Sequence, residues 1–125
     1  MCTNFQDPTA TDGTVCVGRT MEFPNLIPWE LGVLAVKQDA QSEVVPNGKK
    51  WNSNYGVVGF SAFSNPQWYA DAMNTAGLSA HALYMPDYCT YYDPKNDGSD
   101  IGIMIVIAFV LGTCSTTTEA RAALG

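Results

Sequence analysis

The sequence predicts an α+β fold, with antiparallel strands through its first two thirds and helices toward its C-terminus. Three observations carry this. Short β-branched or alternating segments recur between clusters of Asp, Asn, Gly and Pro as far as Tyr84. A long apolar run follows from Ile101 to Leu111, and Thr116-Thr117-Thr118-Glu119 then precedes a row of good helix formers. At 125 residues the chain has room for a single hydrophobic core, so residues 1–125 read as one domain or a part of one.

Cys2 to Gln6 is strand-compatible, Asp7, Pro8, Asp12 and Gly13 supply turn chemistry, and Thr14 to Met21 resumes an extended pattern, which makes a hairpin at the amino terminus. Pro24, Asn25 and Pro28 break the chain before a strand over Leu31 to Lys37, a polar excursion over Asp39 to Lys50, and a strand over Tyr55 to Phe63. Trp68 to Ala72 and Leu78 to Tyr84 flank Asn74-Thr75-Ala76-Gly77, whose Asn and Gly tolerate the positive φ of a tight reversal. Period-two alternation then puts Leu78, Ala80, Ala82 and Tyr84 on one face, with Ser79, His81 and Leu83 on the other. Asp87 to Asp100 is a Tyr- and Asp-rich loop. The run from Ile101 fits a buried strand or a buried helix by pattern, and its length favours the helix. The last helix opens on a capping box and buries little by itself before Gly125, so the expectation is an N-terminal portion of a longer fold.

Composition narrows the function classes. With 46% apolar and 14% charged residues the chain is globular, and six Lys plus Arg against twelve Asp plus Glu gives a net charge of −6. That charge repels phosphate backbones and anionic lipid surfaces, which argues against nucleic-acid and membrane partners. The apolar run of eleven residues is well short of the roughly 20 that span a bilayer, and the polar start over Met1 to Gly13 lacks the form of an export signal, so a cytoplasmic protein is expected. Cys2, Cys16, Cys89 and Cys114 lack zinc-site spacing and read as reduced thiols. No phosphate-binding glycine loop or carboxylate cluster calls for a cofactor or metal, and none is expected.

Chemistry concentrates at the amino terminus. Removal of Met1 ahead of a small second residue would leave a free α-amine on Cys2 itself. An α-amine titrates near 7.7 to 8.0 and a thiol near 8.5, so the amine can serve as the thiol's own base with no histidine required. Taken alone, a cysteine at position two is more often incidental. Arg19 and Glu22, at the end of the strand that returns toward Cys2, could favour the thiolate and hold the amine, though such a pair on a strand end is commonly a surface pair.

Met1-Cys2-Thr3, Val17-Gly18-Arg19-Thr20-Met21-Glu22-Phe23, Asp71-Ala72-Met73-Asn74-Thr75-Ala76-Gly77-Leu78 and Val110-Leu111-Gly112-Thr113-Cys114 together resemble the choloylglycine hydrolase family, which includes penicillin V acylases and conjugated bile salt hydrolases. The resemblance runs over nearly the whole chain, with the motifs in family order. It implies an N-terminal nucleophile hydrolase fold, an αββα sandwich of two stacked sheets between helical layers. It implies that Cys2 attacks a linear, non-peptide amide, that Arg19 lies beside the thiolate, and that Glu22, where many relatives carry Asp, orients the α-amine. Tyr84 falls where penicillin V acylases have Tyr and bile salt hydrolases have Asn, which tilts the substrate toward penicillin V; its backbone N–H is expected in the oxyanion hole. Asn74 and Tyr84 are the expected substrate contacts. Bile salts, other acyl amides and acyl-homoserine lactones are the alternative substrates, and a catalytically incomplete fragment that only associates is the reading from another class. The partners implied are a small-molecule amide and further copies of the chain, since relatives form homotetramers. An Asn and an Arg of the family's site fall later than Gly125.

The remaining candidates are weaker. His81, the only histidine, shows no evident Cys or Asp partner and reads as a packed residue; Cys16, Cys89 and Cys114 read as buried small hydrophobes.

Overall fold

The computed structural model describes residues 2–7, 10–23, 27–37, 39–41, 47–85 and 87–125. The chain forms two compact units, one made of Met1–Leu26 with Leu83–Tyr91 and the other of Ile27–Ala82 with Tyr92–Gly125.

The first unit contains an antiparallel ribbon of β1 (Thr3–Asp7) and β2 (Cys16–Thr20), in register from Thr3 opposite Thr20 to Asp7 opposite Cys16. Its turn is built as the Asp-Gly chemistry predicted: Gly13 N–H donates to the Ala10 carbonyl at 3.1 Å, and Asp12 Oδ1 accepts from Thr14 N–H at 2.9 Å. The Thr14 donors hold the Asp12 carboxyl below the usual carboxylate range. The Phe5 ring reaches over Gly18, its cross-strand partner, and a Cβ on Gly18 would run into that ring. That glycine is what lets the ring cover the ribbon.

In the second unit β3 (Trp29–Leu34), β6 (Val57–Ala62), β7 (Tyr69–Asn74) and β8 (Ser79–His81) form an antiparallel sheet in the order β3-β6-β7-β8. The polar excursion instead holds two short paired strands, β4 (Asp39–Gln41) and β5 (Lys50–Asn52). One face of the sheet carries Leu34, Val57 and Ala72, which are buried in a common core with Leu78, Trp51 and the residues of α1 (Val106–Thr113). Alternation leaves Leu31, Val33, Val58, Phe60 and Met73 exposed on the other face.

The apolar run splits where one helix was expected. Ile105 N–H donates to the Gly102 carbonyl at 3.0 Å, closing a turn, and α1 starts only at Val106. No side chain caps its N-terminus, and Ile107, Ala108, Phe109, Val110, Leu111 and Gly112 are all buried. A helix buried on most of its circumference is held by tertiary packing rather than by caps or an amphipathic stripe. Fully burying a side chain such as Leu111 contributes about 1.5–3 kcal/mol. Trp51 meets Phe109 edge-on at 5.3 Å between centroids, and Lys49 Nζ sits 5.1 Å from the Phe109 centroid.

α2 (Thr117–Leu124) begins as the capping box requires, with Glu119 N–H donating to Thr116 Oγ1 at 3.2 Å. The reciprocal half is displaced by one residue: the Glu119 carboxylate accepts from Ser115 N–H at 2.6 Å and Ser115 Oγ at 2.9 Å. Those donors hold its carboxyl below the usual range. Among the described residues no helix is long and apolar enough to cross a membrane, and no group of three or more His, Cys, Asp or Glu gathers to hold a metal ion.

Candidate active site

Within the first unit the ribbon and residues 83–91 bring Cys2, Arg19, Glu22 and Tyr84 together. Desolvation pushes the Cys2 thiol up, but this is outweighed by the backbone N–H groups of Glu22 and Tyr84, which donate to the sulfur, and by the charge and hydrogen bond of the Arg19 guanidinium; the net shift is downward. The arrangement can hold a thiolate. Arg19 stands beside the thiol, and its Nε also donates to the Thr20 carbonyl at 3.3 Å. Glu22 acts through two groups. Its carboxyl is held below the usual range by the hydrogen bond and charge of the amino-terminal ammonium, which in the unprocessed chain belongs to Met1 and not to Cys2, and by the Thr20 hydroxyl, while its N–H meets the sulfur.

The Tyr84 N–H, expected to face an oxyanion, is aimed at the Cys2 sulfur. Its ring is half exposed and meets Phe23 edge-on, with centroids 5.4 Å apart and an interplanar angle of 61°. Phe23 follows Glu22 directly, so the two segments that donate N–H groups to the sulfur also carry the aromatic pair.

Asn74, expected as a substrate contact, lies in the second unit, is 5% exposed and has every hydrogen-bonding position of its amide engaged by backbone. Nδ2 donates to the Leu111 carbonyl at 2.9 Å and the Cys114 carbonyl at 2.7 Å, and Oδ1 accepts from Ala76 N–H at 3.1 Å and Leu78 N–H at 3.0 Å. Asn74 ends β7, and it is Gly77, at φ +84°, that supplies the turn's left-handed residue. The side chain ties this hairpin to the C-terminus of α1, whose orphan carbonyls need such donors; Asn54 and Tyr55 N–H groups serve the Gly112 carbonyl in the same way.

Two further expectations are corrected. His81 does have a partner, because it stands opposite Asp71 across β7–β8 and its Nδ1 lies 2.8 Å from Asp71 Oδ1. Cys114 is buried, but Cys16, at the end of a two-stranded ribbon, and Cys89, in the Tyr-rich loop, are exposed; all four cysteines are free thiols. The contacts of Thr20 and the Phe23–Tyr84 pair were not foreseen. A hydroxyl residue between the strand's Arg and the following Glu was the available signal for the first.

The sequence pattern of "Linear amide C-N hydrolases, choloylglycine hydrolase family" matches residues 2–125. Among solved structures, penicillin V acylase from Agrobacterium tumefaciens superposes with a TM-score of 0.85 at 27% identity, covering 99% of this chain and 38% of that one. The mutant C2A conjugated bile acid hydrolase from Clostridium perfringens does so with a TM-score of 0.82 at 25% identity, covering 99% and 37%. A curated relative, the bile salt hydrolase/transferase of Clostridium perfringens, is 26% identical over 126 aligned positions, which are 99% of this chain and 37% of the relative. The chain thus spans less than two fifths of the length of these relatives. The fold is the α+β fold of the N-terminal nucleophile hydrolases. Within that class the chain belongs to the choloylglycine hydrolase family of linear amide C–N hydrolases.

Proposed function

We propose that the protein carrying this chain hydrolyses linear, non-peptide amides through Cys2, exposed as the N-terminal residue by removal of Met1. The observation that carries this reading is the Cys2 thiol, lowered in pKa by two backbone N–H groups and the Arg19 guanidinium. The thiol proton passes to the α-amine of Cys2, the sulfur attacks the carbonyl carbon, and the C–N bond breaks as the amine returns the proton to the leaving nitrogen. Water then hydrolyses the thioester, releasing the acid and restoring the thiol. Glu22 orients the ammonium freed on Cys2, a role supported by the place of Glu22 beside Cys2, where its N–H donates to the sulfur.

The substrate class favoured is an amide with an aryl-bearing acyl group, as in penicillin V, because Tyr84, whose N–H meets the sulfur, pairs its ring with that of Phe23. Conjugated bile salts are the second reading, supported by the Clostridium perfringens relative. The substrate is a small-molecule amide, and a homo-oligomer is the assembly proposed. The test is turnover of penicillin V and of a glycine-conjugated bile salt by the protein expressed from its own gene, with Cys2→Ala and a variant that retains Met1 as controls. Parent-like turnover by either control sinks the mechanism, and faster turnover of the bile salt overturns the substrate preference.

A further inference from the structure

The Thr20 side chain has one donor and two acceptor positions, and the structure engages it on both sides of the nucleophile. Its Oγ1 accepts from the N–H of Thr3, the residue that follows Cys2, at 3.1 Å. The same hydroxyl hydrogen-bonds the carboxyl of Glu22, whose N–H meets the Cys2 sulfur. The Thr20 carbonyl accepts from Arg19 Nε at 3.3 Å. One residue therefore touches the backbone on the far side of Cys2, the carboxylate of a residue whose N–H meets the sulfur, and the cation beside the thiol.

The position of Thr20 explains why a hydroxyl is needed. Thr20 ends β2 opposite Thr3 at the end of the ribbon, where the pairing stops and Thr3 N–H is met by the Thr20 side chain. A valine of the same shape would keep the strand preference and lose both hydroxyl contacts. Cys2 precedes the paired residues, so its placement depends on such tethers.

We infer that Thr20 is a positioning residue that fixes the amino-terminal segment, so that the Cys2 sulfur meets its N–H donors and the amine meets Glu22. The catalytic consequence rests on the amide-hydrolase reading above; the positioning itself does not. Losing the tether lets the sulfur leave the Glu22 and Tyr84 N–H groups, and its titration moves back toward that of an ordinary thiol.

The experiment is the pH dependence of iodoacetamide alkylation at Cys2, read by peptide mass mapping on the protein from its own gene with Met1 removed, for the parent, Thr20→Val and Thr20→Ser. Thr20→Val is expected to raise the alkylation midpoint by about half a pH unit or more, and Thr20→Ser to restore it. On an amide substrate Thr20→Val should lower kcat roughly tenfold with KM within about twofold, since a misplaced nucleophile affects chemistry more than binding. If Thr20→Val does not fold, Thr20→Ala is read in its place. An unshifted midpoint, or a serine variant no closer to the parent than the valine variant, overturns the inference whatever the amide turnover. A Cys2→Ala protein that still cleaves amides overturns the hydrolase mechanism and leaves the alkylation result to decide on Thr20.

Discussion

Replacing Asn74 with alanine removes four hydrogen bonds of 2.7–3.1 Å at once. The size of the loss depends on which partners can reach water. Ala76 is exposed and rehydrates, whereas Leu78, Leu111 and Cys114 are 9%, 0% and 4% exposed. Three backbone groups are then left buried and unpaired, at about 1–1.5 kcal/mol each, so Asn74→Ala should cost about 3–5 kcal/mol. Domain stabilities of about 5–15 kcal/mol make that a large share of the total. Asn74→Asp keeps the acceptors for Ala76 and Leu78 but turns a carboxylate toward two carbonyls, and should do no better. Urea unfolding followed by tryptophan fluorescence reads the second unit, where Trp29, Trp51 and Trp68 all lie. A loss under about 1 kcal/mol would refute the burial argument. A raised KM at unchanged stability would restore Asn74 to the substrate.

Leu111→Ala, at a fully buried site in α1, should cost about 2–5 kcal/mol in the same assay, and a loss under about 1 would mean that the core collapses around the cavity. Thr116→Ala should cost about 1 kcal/mol through the lost cap on Glu119 N–H, with Thr116→Ser close to the parent. Glu119 has a lowered pKa from its Ser115 donors, so its contribution is complete above the ordinary carboxylate range and disappears as pH falls through the lowered value. A Glu119→Gln variant should therefore lose less stability on acidification than the parent; parallel acid melts of the two would contradict the assignment.

Local chemistry made much of this fold legible. Asp12-Gly13 marked the first turn, Gly77 the second, and Thr116 with Glu119 the last helix, because each signal acts over four residues or fewer. Register was harder. Ending a strand at Ala72 instead of Asn74 hides the pairing of Asp71 with His81, and the strand itself stops at His81, so the alternation that placed Tyr84 on a sheet face does not reach it. Asn74 looked like a turn residue or a substrate contact because its partners Leu111 and Cys114 lie 37 and 40 residues away. At the amino terminus the residue types around Cys2 were readable, but the aim of the Glu22 and Tyr84 N–H groups is a property of backbone direction, which side-chain identity does not encode.

The bare sheet face bears on how this polypeptide behaves in solution. Leu31, Val33, Val58, Phe60 and Met73 form a greasy patch of the kind that drives molecules to clump. What opposes this is the net charge of −6, through mutual repulsion between copies. That repulsion vanishes near the pI of about 4.4 and is screened by salt, so acid and high ionic strength should both precipitate the 125-residue chain while its helices and strands are still intact. Colloidal behaviour rather than unfolding should then set its handling limits, and light scattering against pH will show the boundary before circular dichroism changes.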